Sequence, residues 1–188
     1  MSFARGLRAI LRQDPDVILI GEIRDGETAE IAVQASLTGH LLLSTLHTNT
    51  AAGAVTRMHD LGIDNFLLAS TLRGVLAQRL VRKLCNHCKQ ELAVDARLST
   101  LSGLPEGSTI YQNCGCEHCN WTGYEGRHAI VEMVEVTESL QKLIHDGAGE
   151  GPLQAEIRST VPSILNEGFR LVAAGITSVE EVLRVTSA

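Results

Sequence analysis

Residues 14–25, Asp-Pro-Asp-Val-Ile-Leu-Ile-Gly-Glu-Ile-Arg-Asp, decide the fold class. The four branched aliphatics at 17–20 are what a strand buried on both faces of a parallel sheet requires, and they deliver Gly21 and Glu22 to its C-terminal edge. Ligands of open α/β sheets bind at that edge. A carboxylate there is placed to hold a Mg2+ ion or to orient a water against a terminal phosphate. The bland alternative is a buried strand that ends in Gly-Glu and a turn with no chemistry attached.

The next segments favour the chemical reading. Residues 28–37 carry helical apolar spacing, and residues 41–46 form a second aliphatic strand whose end bears His47, Thr48 and Asn49. If the two strands are neighbours, Glu22 and His47 converge on one crevice, where a His or Asn can contact a terminal phosphate. His40, at a strand start, reads as structural.

With these segments in place, the chain resembles the secretion ATPases of the type II secretion and type IV pilus systems over nearly its whole length. The carriers are Phe3-Ala4-Arg5-Gly6-Leu7-Arg8-Ala9-Ile10-Leu11-Arg12-Gln13-Asp14-Pro15-Asp16, the Walker B-like Gly21-Glu22-Ile23-Arg24-Asp25, and residues 38–49, which look like the family's His box. The resemblance implies an α/β fold: part of a RecA-like P-loop NTPase core with a four-cysteine zinc-binding insert and a C-terminal helical subdomain. It implies that Glu22 is the catalytic carboxylate, that His47 lies near the γ-phosphate, and that Arg24 is a charge partner at the nucleotide or subunit boundary. Arg5, Arg8 and Arg12 recur at helical spacing and share one face, which is either solvated or suited to phosphate contact. The resemblance raises Arg8 and Arg12 to arginines that meet the nucleotide or an adjoining subunit, with Arg57 and Arg127 as weaker candidates.

One family element is missing from these residues. There is no Gly-x-x-x-x-Gly-Lys-[Ser/Thr] loop, and none of Lys83, Lys89 and Lys142 follows a glycine. Without that loop there are no nested backbone N–H groups, no phosphate-binding Lys and no Ser/Thr for Mg2+. The expectation is a fragment truncated on its N-terminal side, unable to bind ATP tightly alone. Residues 175–186 resemble the family's own C-terminal segment.

The second strong signal is Cys85-Asn86-His87-Cys88 together with Cys114-Gly115-Cys116-Glu117-His118-Cys119. Two Cys-x-x-Cys knuckles close a structural tetrahedral site with no open position, so Cys85, Cys88, Cys116 and Cys119 are the expected Zn2+ ligands. Cys114 is the odd one out, and His87 and His118 are lesser alternatives. A redox pair or disulfides are weaker readings of the same residues. A short helix and a loop are expected between the knuckles, and Trp121 is expected to cover the metal turn.

Composition bounds the rest. The 188 residues, 44% hydrophobic, can bury one core plus a small module, and no apolar run approaches the roughly 18 residues of a membrane span. A net charge of −6 and 3% aromatic content argue against a nucleic-acid surface. Residues 66–80 read as a helix and 129–136 as a strand. Thr137 reads as the N-cap of the first of four short helices at 138–145, 150–159, 163–174 and 178–185. The expected domains are therefore 1–83, the ATPase-core portion; 84–127, the zinc module; and 128–188, a strand and helical subdomain.

The resemblance implies part of a hexameric ATPase using ATP and Mg2+. It would be cytoplasmic, peripheral at the inner membrane through secretion-platform proteins, and would power pseudopilus assembly and protein export by type II secretion. The alternatives are a type IV pilus assembly ATPase or, for these residues alone, a non-enzymatic zinc-bearing docking module.

Overall fold

The computed structural model describes residues 3–186. They divide into two compact units, one of residues 3–75 and 133–160 and the other of 76–132 and 161–186.

The first unit opens with helix α1 (Phe3–Ile10) and a 3-10 turn (Leu11–Gln13), followed by strand β1 (Val17–Ile20), helix α2 (Gly26–Leu37) and strand β2 (Leu41–Ser44). β1 and β2 pair in parallel, with Val17 opposite Leu41 and Ile20 opposite Ser44. This is the adjacency that a strand–helix–strand crossover of this length permits. Asp25 caps α2, its carboxyl accepting from the Thr28 backbone N–H at 2.9 Å and the Thr28 hydroxyl at 3.0 Å. Ala29, Ala32, Val33 and Ala35 give α2 a buried face of small residues.

The strand at 17–20 is not buried on both faces as expected. Ile18 and Ile20 are buried, whereas Leu19 is 74% and Val17 57% exposed. The residues described here cover one face of the two-stranded sheet, and aliphatic content alone does not distinguish that case from burial on both sides. The second strand also ends earlier than expected, at Ser44 rather than residue 46. Helices α3 (Ala51–Asp60), α4 (Asn65–Thr71), α6 (Glu138–His145) and α7 (Glu150–Thr160) complete the unit. α4 packs on α6, and α3 on α7.

The helix expected at 66–80 is another correction. α4 stops at Thr71, and Gly74–Leu84 form strand β3, which pairs with strand β6 (Tyr124–Glu135). The boundary between the units falls within both of these strands. β6 also starts five residues before the expected strand at 129–136.

In the second unit, strands β4 (Gln90–Ala93) and β5 (Thr109–Gln112) form an antiparallel pair around helix α5 (Ala96–Ser102). Helices α8 (Ile164–Ala173) and α9 (Val179–Thr186) join Val81, Val94, Ile110, Ile130, Phe169 and Val182 in one core. The expected helices of the C-terminal region are all present, and Thr137 caps α6 through its hydroxyl, which accepts from the Leu140 N–H. No helix among the described residues is long and apolar enough to cross a membrane.

Candidate functional site

The two strand ends meet. Beyond β1 and β2 the chains stay linked: the Ile23 N–H donates to the Thr45 carbonyl at 3.1 Å, and the Thr45 hydroxyl donates to the Gly21 carbonyl at 2.6 Å. These bonds bring the Glu22 and His47 side chains to the same C-terminal edge. His47 Nε2 lies 3.1 Å from Glu22 Oε2, and Arg24 Nε lies 2.6 Å from the same oxygen.

The environments differ across this cluster. The Glu22 side chain is 19% exposed, whereas those of Arg24 and His47 are 68% and 82% exposed. The Arg24 hydrogen bond holds the Glu22 carboxyl below its ordinary range; partial burial opposes this and His47 adds to it. An ionised carboxylate with an adjacent ring nitrogen and guanidinium can orient a water, hold a hydrated cation or take part in anion contact.

Of the other arginines singled out in the sequence, Arg8, Arg12 and Arg57 of the same unit do not join this cluster. Arg8 pairs with Glu27 of α2 at 2.8 Å. Arg12 lies exposed in the turn after α1, Arg57 is exposed on α3, and Arg127 is exposed on β6 of the other unit. His40 is structural: its Nδ1 lies 2.9 Å from the Ala35 carbonyl and 3.0 Å from the Thr38 hydroxyl, closing the end of α2. Asp25, adjacent to the cluster, was not singled out in the sequence. The Asp-x-x-Thr spacing before an alanine-rich helix was the signal for its capping role.

In the second unit the four knuckle cysteines converge. The Sγ atoms of Cys85, Cys88, Cys116 and Cys119 all lie within 4.8 Å of one another, close enough to hold a metal ion. Cys88–Cys119 and Cys116–Cys119 are 3.8 Å apart and Cys85–Cys116 is 4.0 Å. A regular tetrahedron with metal–sulfur bonds of about 2.3 Å has edges of about 3.8 Å. The thiols are also set up as acceptors: Gly115 N–H points to Cys88 Sγ at 3.3 Å and Gly123 N–H to Cys119 Sγ at 3.2 Å. Burial pushes the Cys88 thiol up to about 12. Burial also opposes ionisation of Cys119, yet the Cys116 and Gly123 N–H groups bring it down to about 6.

All five cysteines are free thiols, and Cys114 is exposed outside the cluster. The imidazoles of His87 and His118 meet at a tilt of 46°, with centroids 4.0 Å apart. Trp121 does not cover the turn as expected. Its side chain is 71% exposed and its main chain approaches Gly115, where a Cβ would sit 2.9 Å from the Trp121 carbonyl oxygen. Its φ of 62° puts the backbone there in the left-handed region.

A parallel strand pair presenting carboxylate and imidazole at one edge, followed by a four-cysteine module, defines a RecA-like secretion ATPase fold. The chain belongs to the type II/IV secretion system protein family, whose model matches residues 1–184. It is 58% identical over 188 residues to the type II secretion system ATPase E of Vibrio cholerae, covering 99% of this chain and 37% of that protein. It is 55% identical to the type II secretion system protein E of Pseudomonas aeruginosa, over 99% of this chain and 38% of that one. The chain thus spans well under half the length of these relatives. Among solved structures, the pilus retraction motor PilT with bound ADP superposes with a TM-score of 0.68 at 26% identity, over 97% of this chain and 43% of that one. The Legionella pneumophila ATPase DotB superposes with a TM-score of 0.71 at 22% identity, over 100% and 43%.

Proposed function

We propose that these residues form the C-terminal portion of a hexameric, cytoplasmic ATPase that drives pseudopilus assembly and protein export by type II secretion. The observation that carries this reading is the shared contact of His47 and Arg24 with one oxygen of Glu22 at the edge of two parallel strands. Glu22 orients the attacking water or holds Mg2+, and His47 stands beside the terminal phosphate. Arg24 moves between the carboxylate and an anion. ATP with Mg2+, bound by a phosphate loop outside these residues, supplies the anhydride whose cleavage the cluster assists. Arg8, Arg12, Arg57 and Arg127 are assigned to nucleotide or subunit contacts in the assembly.

Residues 84–127 hold one structural Zn2+ through Cys85, Cys88, Cys116 and Cys119, and residues 1–83 and 128–188 form the flanking core and helical portions. The partners are further copies of the chain and the inner-membrane secretion platform. Relatives above half identity carry type II secretion names, which supports the export reading.

The test compares ATP turnover and zinc content of this chain with a version extended upstream to include a phosphate-binding loop. Turnover only in the longer form, with about one zinc in each, supports the reading. Turnover in neither sinks the motor and leaves a zinc-bearing docking module.

A further inference from the structure

The segment that carries His47 is anchored from a distant part of the chain. Thr50 is the N-cap of α3, its hydroxyl oxygen accepting from the Gly53 N–H at 2.9 Å. The same hydroxyl donates to Glu150 Oε1 at 2.8 Å, a contact between residues 100 positions apart. Glu150 is the first residue of α7. Three features of the sequence make room for this contact. Ala51 and Ala52 are buried to 1% and 0% where α3 packs on α7. Gly53 has no side chain where a Cβ would stand 2.9 Å from Thr50 Oγ1 and 3.6 Å from Glu150 Oε1. Thr48 closes the turn, its hydroxyl lying 3.4 Å from the Thr50 carbonyl.

The 45–50 segment is therefore fixed at both ends. Thr45 ties it to Gly21 beside Glu22, and Thr50 ties it to α7. Between these ties lies an imidazole that is mostly exposed and has little packing to hold it. Its position depends on the backbone that carries it. We infer that Glu150 is a positioning residue for His47, and that through Thr50 it couples the placement of α7 to the geometry of the Glu22–His47 pair. This rests on the proposed ATPase reading. A shift of the imidazole by about an ångström is enough to lower turnover by one to two orders of magnitude.

Two measurements test it. In this chain, amide exchange and His47 ring resonances are compared for the parent, Glu150→Ala and Glu150→Gln. Glu150→Ala speeds exchange across residues 46–53 and moves the His47 signals, with the four-cysteine unit unchanged. Glu150→Gln, which keeps a carbonyl acceptor for the Thr50 hydroxyl, behaves as the parent. In the extended chain, Glu150→Ala lowers kcat about tenfold with KM for ATP unchanged. Thr50→Asp, which keeps a cap for Gly53 but loses the donor to Glu150, does the same, and Glu150→Gln restores the rate. Parent turnover that Glu150→Ala leaves intact overturns the inference, as does unchanged exchange at 46–53. An inactive extended parent overturns the ATPase reading instead, and the exchange and His47 signals then still decide whether Glu150 positions the segment.

Discussion

Glu22 and His47, 25 residues apart, share a 3.1 Å contact because the strands that carry them run parallel and end at the same level. The contact needs no side-chain packing of its own. It follows from the register that sets Ile20 opposite Ser44 and from the Thr45–Gly21 hydrogen bond just beyond. In an ATPase of this layout, the carboxylate and the imidazole would face the nucleotide from one edge.

Glu22→Gln removes the ionisable oxygen and keeps the volume. In the extended chain kcat should fall by roughly two to four orders of magnitude, with nucleotide affinity little changed. A loss below tenfold would show that another group orients the water.

Arg24→Gln tests the electrostatics of the same oxygen. Arg24 is the main cause of the lowered Glu22 ionisation range. Its removal should let the carboxyl rise toward the ordinary range, so the acidic limb of the pH–rate profile should move to higher pH. A limb that stays in place would mean that a different group controls it.

The residues of this site were legible in the sequence because strand ends and polar residues follow a short-range rule. Two aliphatic runs separated by one helix place Glu22 beside His47 once the strands pair as neighbours, which the structure supplies. Residues 72–84 were not legible in the same way. Val75, Leu76, Ala77, Leu80 and Val81 fit a helix as readily as a strand, and the choice is made by pairing with β6, dozens of residues later. The exposure of Val17 and Leu19 was likewise hidden, since an aliphatic run does not reveal how many of its faces are covered. Glu181 is a third case. On a helix with polar residues it reads as solvated, yet it is fully buried because Arg82, 99 residues earlier, and Arg184 both reach it.

That buried carboxylate makes a pH prediction. Glu181 accepts from the Arg82 backbone N–H and from both guanidinium groups at 2.7–3.0 Å. Burial opposes its ionisation, but the Arg184 and Arg82 bonds prevail and hold it down to about 2. The folded value lies below the ordinary one of about 4.3, so the contribution is fully present above that pH and is lost as pH falls toward 2. Glu181→Gln should cost about 3 kcal/mol at neutral pH and flatten the acid limb of the stability curve. Urea melts at pH 7 and pH 3 would decide; an equal cost at both would remove the carboxylate from the account.

Gly168 lies within α8, where alanine is ordinarily better by about 1 kcal/mol. Here a Cβ would lie 2.5 Å from Val182 Cγ1, and Val182 is fully buried on α9. Overpacking of this kind costs about 1–3 kcal/mol, so Gly168→Ala should destabilise on balance. The cost should shrink in a Val182→Ala background, which opens the contact. Thermal melts of the four variants in a double-mutant cycle measure that coupling, and strict additivity would refute the clash.

Removal of the proposed metal should act on one unit. The four cysteines come from two turns 31 residues apart, and they join the start of the 84–127 segment to its end. Burial disfavours ionisation of Cys88, and an ion would join the two knuckles beyond the Cys85–Gly123 backbone hydrogen bond. A structural site of this kind contributes its binding free energy to folding. Chelation, or Cys85→Ser or Cys116→Ser, should therefore loosen residues 84–127, with faster amide exchange from β4 to β5. The β1–β2 pair is held by its own ladder and by α2, so exchange at Ile18 and Ile20 should stay slow. Exchange followed by mass spectrometry before and after chelation separates the two regions. Simultaneous loss of protection in both would mean that the thiolate cluster supports the whole chain rather than its own unit.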